Sequence, residues 1–280
     1  MSEPFGAFRP SAFQERVRAL ARRLPKNYFG RKAASVLLGP AGGRAPRAYD
    51  VEVFASQKAR LHPYDNICEK RVYLTPQLWD GAERAFLGDL ISTFGGRTFN
   101  FVDVGANAGL YTLFARSEAL RTGARLKAAC IEADPEMAAR LRFNIEASAA
   151  AAGIAVFNCA ASDAETTLRF SVDRKSRGLS RIAGNGACEV RARPLAPILQ
   201  EAGFQRVDAM KIDIEGHEHQ TLSAFFRDAP AALRPTVLIL ETSHDREGES
   251  AEALVRRTGY RLRLNTARNA VFVRNDQTPA

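Results

Sequence analysis

The chain has 280 residues, 46% of them apolar, with a formal net charge of +9. Such a length suits one large domain with extra segments, and a core of that size needs neither disulfides nor a structural metal. No run reaches the roughly 18 apolar residues of a membrane span, and the N-terminus lacks the apolar stretch of a signal peptide.

The four cysteines, Cys68, Cys130, Cys159 and Cys188, are widely spaced and form no Cys-x-x-Cys pair. They read as reduced thiols, which points to a cytoplasmic protein. The charge is uneven. Residues 1–60 hold 12 Lys/Arg against 4 Asp/Glu, and the remaining residues hold 28 against 27. The basic character therefore belongs to an N-terminal arm. The expected organisation is an arm and linker over 1–75 and a catalytic domain over 76–280.

In chain order, residues 11–24 predict an amphipathic helix with Phe13, Val17, Leu20 and Leu24 on one face, ended by Pro25. That face packs on the main domain or a second subunit, or it touches an anionic membrane or acidic partner. The Gly, Pro and Arg of 39–47 suggest a linker. A helix is predicted over 76–94. After it, strands at 99–104, 126–131, 154–159, 207–212 and 236–240 alternate with helices at 110–120, 135–150, 195–202, 218–226 and 249–258. Short strands at 168–172 and 188–192 flank a polar loop. The strands at 260–264 and 270–274 are too close for a crossover and suit a hairpin. Repeated β-then-α with apolar strands implies an α/β fold, its mostly parallel sheet covered on both faces and carrying an antiparallel strand at the C-terminal end.

The sharpest motif is Val102-Asp103-Val104-Gly105-Ala106-Asn107-Ala108-Gly109, at the end of a predicted strand. Gly105 permits close backbone approach, and Gly109 opens the next helix. The G-x-x-x-G spacing departs from the dinucleotide G-x-G-x-x-G, and Asp103 would repel a pyrophosphate. An acid there suits the cationic methionine end of S-adenosylmethionine, with Asn107 in the same turn. Glu132 ends the second strand, where a carboxylate can accept both ribose hydroxyls. Asp134, just before Pro135, is the expected cap of the following helix. Asp163 follows the third strand and could meet the adenine amino group, although a Ser-Asp turn explains it nearly as well.

The fourth element is Lys211-Ile212-Asp213-Ile214-Glu215-Gly216-His217-Glu218. Strand alternation puts Lys211, Asp213 and Glu215 on one side. Ionisable groups at the end of an apolar strand are costly to bury without a purpose. Helix N-terminal acids explain Glu218 well and Asp213 poorly. Asp213, Glu215, His217 and Glu241 are the candidate proton acceptors, all at or beyond strand ends, and Asp213 is also a candidate cofactor contact. Two carboxylates, Asp213 and Glu215, do not suffice to assign a metal.

These residues together resemble the FkbM family of methyltransferases over about 100–242. The blocks are Val-Asp-Val-Gly-Ala-Asn-Ala-Gly at 102–109, Ile-Glu-Ala-Asp-Pro at 131–135, Arg-Phe-Asn-Ile at 142–145, Ala-Ala-Ser-Asp at 160–163, Lys-Ile-Asp-Ile-Glu-Gly-His-Glu at 211–218 and Leu-Ile-Leu-Glu at 238–241. Arg193-Pro194-Leu195-Ala196 stands where that family often carries Thr-Leu-Asp. The resemblance implies a Rossmann-like class I methyltransferase fold, S-adenosylmethionine as cofactor, and methylation of a hydroxyl on a sugar, glycan or other small metabolite. Two other readings compete. A nicotinamide-dependent oxidoreductase is disfavoured by the absent G-x-G-x-x-G. An RNA-binding protein rests only on the charge of the arm, so no stable nucleic-acid partner is expected.

Overall fold

The structure, a computed structural model, describes residues 3–171, 181–182, 188–242 and 250–275. Two helices open the chain, α1 (Ala12–Ala21) and α2 (Tyr28–Leu37). A hairpin of β1 (Tyr49–Val53) and β2 (Gln57–Leu61) follows, then α3 (Ile67–Leu74) and α4 (Gly81–Ser92). The alternating series is β3 (Thr98–Val104), α5 (Leu110–Thr122), β4 (Arg125–Ile131), α6 (Pro135–Ala147) and β5 (Ile154–Phe157). Four short strands come next: β6 (Ala160–Ala161), β7 (Thr166–Ser171), β8 (Arg181–Ile182) and β9 (Cys188–Arg193). The chain then runs through α7 (Leu195–Glu201), β10 (Ala209–Ile212), α8 (Glu218–Asp228), β11 (Val237–Glu241), α9 (Ala251–Arg257), β12 (Tyr260–Asn265) and β13 (Asn269–Arg274).

The main sheet has the order β12-β13-β11-β10-β3-β4-β5, with β13 antiparallel to both of its neighbours and the other pairings parallel. This is the expected mostly parallel sheet with its C-terminal antiparallel strand. Strand alternation divides its core. Phe99, Phe101, Ala209, Val237 and Ile239 face Leu113 of α5 and Leu87 and Ile91 of α4. Val102, Val104, Met210, Ile212, Leu238 and Leu240 face Ile198, Leu222 and Val255 of α7, α8 and α9. After β3 the chain builds β4 and β5 to one side, then returns through β10 and β11 on the other. The order therefore reverses between β3 and β10, and a crevice opens there at the carboxyl ends of the strands.

Several elements differ from expectation. The helix predicted over 76–94 begins only at Gly81, because Trp79 is extended and Asp80 is left-handed (φ 41°) after a single 3₁₀ turn at Pro76–Leu78. The strand predicted over 154–159 stops at Phe157, and Ala160–Ala161 pairs into a second sheet of order β6-β9-β7-β8. Val172 and Glu249, predicted as element ends, lie outside the described residues.

The N-terminal residues are packed into the same core. Tyr49, Val51, Ala59, Leu61, Val72 and Tyr73 share one apolar cluster with Phe99 and Phe101. Asp50 joins β1, β2 and the first residues: Arg60 Nε donates to it at 2.7 Å, and the amides of Gly6 and Phe8 donate at 2.7 and 3.1 Å. In the 39–47 stretch, read from composition as linker, Ala41 is buried and its carbonyl accepts from the Tyr73 hydroxyl at 2.6 Å. α1 is capped by Ser11 and Gln14 in a reciprocal box. Its buried face is not the predicted stripe. Val17 and Leu24 pack inward with Ala21 and Arg18, whereas Phe13 and Leu20 point to solvent. Arg18 decides that rotation, since its guanidinium lies 4.6 Å from the Tyr73 ring centre and Nε donates to the Tyr73 carbonyl at 3.0 Å.

Candidate active site

Three adjacent strands end on the crevice, and register explains what they bring there. Asp103 on β3 pairs with Lys211 on β10, which pairs with Ile239 on β11. Side chains two residues apart share a face. Asp103, Lys211, Asp213 and Glu241 therefore project to the α5 side of the sheet. Asp103 is 1% exposed and accepts from Thr112 Oγ1 of α5 at 2.7 Å. Burial pushes its carboxyl up, opposed by the Lys211 ammonium. Lys211 is itself buried and donates to Asp213 Oδ2 at 2.8 Å, beneath the Tyr111 ring at 5.0 Å. Desolvation works against the charge on Lys211, but Asp213 and Asp103 outweigh it and hold the ammonium protonated.

Beyond β10 the backbone turns through Glu215 in a left-handed conformation (φ 55°) and Gly216. Glu218 secures this turn by accepting from the amides of Ile214 and Gly216 at 2.8 and 2.9 Å. Asp213, Glu215 and Glu241 each offer a carboxylate oxygen within 4.8 Å of one another. Burial, then the charges of Asp213 and Glu218, push the Glu215 carboxyl up to about 7.

The glycine turn closes the other wall. Gly105 has φ +75°, and a β-carbon there would lie 1.8 Å from the Asp213 carbonyl oxygen. The turn therefore nests directly against the end of β10. Gly109 has φ +82° and abuts Leu141 of α6, where a β-carbon would lie 2.3 Å from Cδ1. Asn107, also left-handed, donates its amide to Glu132 Oε2 at 2.7 Å, and Asp134 donates its amide to Oε1 at 2.8 Å. Glu132 is buried, and desolvation pushes its carboxyl up to about 7 despite those two bonds. Each of its oxygens retains a lone pair for a further donor. Asp134 caps α6 through the Glu136 and Met137 amides, as its position before Pro135 suggests.

These groups line one cleft at the carboxyl ends of the strands, part of it open to solvent. Asp103, Gly105, Asn107, Glu132, Asp213, Glu215 and Glu241 belong to its lining. Gly109 lies behind it, and His217 sits at the start of α8, outside the lining. Asp163 is exposed and also outside; Ser162 Oγ donates to it at 3.1 Å, and bonds from Gln220 and Ser162 hold its carboxyl below the usual range.

The far wall comes from residues that sequence patterns did not single out: Ile67, Cys68, Trp79, Asp80, Tyr111 and Arg268. Tyr111 donates its hydroxyl to Asp80 Oδ2 at 3.0 Å and packs edge-on to Trp79 at 5.0 Å. Burial pushes the Cys68 thiol up to about 12, which keeps it protonated. The lone tryptophan next to Asp80-Gly81 was the one available signal, and nothing in its spacing linked it to residue 213.

The donor set fits a cationic nucleoside cofactor. Acids surround the end of β3 and β10, where a sulfonium or ammonium would be stabilised, and Glu132 offers paired acceptor oxygens one strand away. A dinucleotide would bring a pyrophosphate to the same acids, at a cost.

The Methyltransferase FkbM domain matches residues 103–262, more than half of the chain. Among solved structures, the chain is similar to a precorrin-6y C5,15-methyltransferase from Geobacter metallireducens GS-15, with 11% identity and a TM-score of 0.41 over 68% of this chain and 86% of that one. It is similar to an O-methyltransferase from Bacillus cereus in complex with SAH, with 16% identity and a TM-score of 0.40 over 69% and 80%. The METTL16 MTase domain shows 12% identity and a TM-score of 0.49 over 94% and 80%. No curated protein matches the chain. No helix among the described residues is long and apolar enough to cross a membrane. With its seven-stranded Rossmann-like class I sheet and the matching domain, the chain belongs to the FkbM methyltransferase family, and S-adenosylmethionine is its cofactor.

Proposed function

We propose that the protein O-methylates a hydroxyl of a sugar, glycan or other small metabolite, with Glu215 as the proton acceptor. The observation that carries this reading is the convergence of Asp213, Glu215 and Glu241 in the cleft that also holds Asp103 and Glu132. S-adenosylmethionine supplies an electrophilic methyl group. The chain's own task is to hold the hydroxyl and remove its proton. Glu215, raised to about 7, is matched to that work near neutrality. Asp213, tied to Lys211 Nζ at 2.8 Å, positions the reacting groups. On the cofactor, Asp103 and the 105–109 turn face the methionine end and Glu132 takes the ribose hydroxyls. Asp163, exposed and two residues beyond β6, is the candidate for the adenine amino group. His217 is the weaker alternative base, since it lies off the cleft.

Calorimetric titration with S-adenosylhomocysteine tests this arrangement. Glu132→Gln removes two charge-assisted bonds, each worth roughly 1.5–3 kcal/mol, so affinity should fall about tenfold or more. Ionised Glu132 accepts both hydroxyls, so wild-type affinity should fall as pH drops below about 7, and the variant should lose that slope. A variant that binds as tightly as wild type, with the same pH slope, takes the ribose away from Glu132.

A second reading concerns the N-terminal helices. Phe13, Leu20, Tyr28, Phe29 and Val36 are 55–76% exposed, and Arg16, Arg22, Arg23, Lys26, Arg31 and Lys32 lie among them in the sequence. Apolar side chains within a cationic field complement an anionic bilayer surface. The protein should sediment with phosphatidylglycerol vesicles and not with phosphatidylcholine ones, and Tyr28→Ser/Phe29→Ser should abolish the binding. Equal sedimentation with both vesicles, or an unaffected variant, removes the membrane contact.

A further inference from the structure

A second cleft, of about 1440 Å³ and partly open to solvent, adjoins the cofactor cleft, and Asp80 and Arg268 line both. Its walls are α2, α3, the 75–83 turn and the tip of the β12–β13 hairpin. Leu38, Leu74 and Leu78 give it an apolar floor, and Arg31, Lys70, Arg71 and Arg268 contribute four cations from three separate parts of the chain. None of the four is in an ion pair among the described residues.

The two acids in the lining are already committed. Glu83 is buried and accepts from Thr266 Oγ1 and Asn269 Nδ2 at 2.6 and 2.9 Å. Asp80 accepts from Tyr111. The first turn of the 12-residue helix α4 also opens on the cleft at Gly81 and Ala82, with no side-chain cap on its amides, and a β-carbon at Gly81 would meet nothing within 4 Å. The electrostatic influence of Arg71 reaches Asp80, and that of Arg268 reaches Glu215, so the cationic wall continues to the base. Four cations on one wall, none in an ion pair among the described residues, make that wall complementary to an anionic group.

We propose that this second cleft binds the methyl acceptor, and that the acceptor carries an anionic group, phosphate or carboxylate, held by Arg31, Lys70, Arg71 and Arg268. The apolar floor then covers the carbon skeleton, and the hydroxyl enters the cofactor cleft between Asp80 and Arg268. The place of the hydroxyl rests on the O-methylation reading; the capture of the anion does not.

Wild-type protein saturated with S-adenosylhomocysteine at low ionic strength is titrated with inorganic pyrophosphate, glucuronate and glucose. One anion or both should bind at least about tenfold more tightly than glucose, charge-assisted bonds being roughly twice as strong as neutral ones. Lys70→Gln/Arg71→Gln removes two cations that lie outside the cofactor cleft. It should weaken anion binding about tenfold or more, leave S-adenosylhomocysteine affinity within about threefold, and not lower Tm, since two like charges are removed. Arg31→Gln provides an independent variant on another helix. Preference for pyrophosphate assigns a phosphorylated acceptor, and preference for glucuronate a carboxylated one. The proposal is overturned if neither anion binds better than glucose, or if both variants bind anions as wild type does. Wild type that takes up the anion but not S-adenosylhomocysteine overturns the cofactor arrangement and leaves the anion site standing.

Discussion

Gly105→Val is expected to abolish measurable binding of S-adenosylhomocysteine and to lower Tm by several degrees. The backbone at this position is left-handed, which costs a residue with a β-carbon roughly 1–2 kcal/mol. The larger effect is steric. The first added carbon would sit 1.8 Å from the Asp213 carbonyl oxygen and 3.2 Å from Ile214 Cγ2. The first cannot yield cheaply, because it is backbone just beyond the end of a central strand. The turn must therefore move away from β10, and with it go the Asn107 amide and its bond to Glu132. On local grounds alone, Gly105 would matter only to the ligand and the fold would stay intact. Contact with Asp213 makes stability fall as well. Circular dichroism should still show the α/β spectrum at 20 °C, because both faces of the sheet remain packed. Unchanged affinity in a folded Gly105→Val protein would sink the placement of the cofactor against this turn.

Glu215→Gln is expected to lower kcat by about 10²-fold or more while leaving the affinity for S-adenosylhomocysteine within about threefold. Wild-type kcat should rise with pH through about 7, the value to which burial and neighbouring carboxylates push this group. Stability moves the other way. The folded carboxyl holds its proton to a higher pH than the unfolded one, so its contribution to stability is full at low pH and is lost as pH rises through about 7. Glutamine carries no charge to desolvate, so Glu215→Gln should raise Tm relative to wild type at pH 8 and leave it nearly unchanged at pH 4. Activity lost with stability gained is the signature of a group held for chemistry. Activity preserved, or Tm lowered at pH 8, would make Glu215 structural and pass the proton to another acceptor. Asp213→Asn is the less clean variant, because it also strips buried Lys211 of a partner at 2.8 Å and must lose stability and activity together.

The alternation of β-branched strands with helices, the crowding of 260–274 into a hairpin, and the acids at strand ends are local properties of the chain. They follow from periodicities of two and 3.6 residues and from glycine's access to positive φ, and they sufficed to bring Asp103, Gly105, Asn107, Glu132, Asp213, Glu215 and Glu241 to one cleft. Asp103 could be placed near Asp213 because parallel strands carry their carboxyl ends to one edge. The misplacements have the opposite character. The stripe of Phe13, Val17, Leu20 and Leu24 reads as one face, packed or in contact with a partner, but the contact of Arg18 with Tyr73, 55 residues on, leaves Val17 and Leu24 inside and Phe13 and Leu20 outside. His217 and Asp163 are candidates by their places after strands, Asp163 with a turn-forming explanation nearly as good, and the direction in which their turns leave the sheet carries both off the cleft lining. The wall of Trp79, Asp80, Tyr111 and Arg268 has no periodic signature, since it joins a left-handed turn, a helix face and a hairpin tip up to 189 positions apart. Periodicity records which face of an element is apolar. Which distant element covers that face, and which polar groups meet in the gap between two elements, is decided by packing, where the interactions of many remote side chains must be satisfied at once.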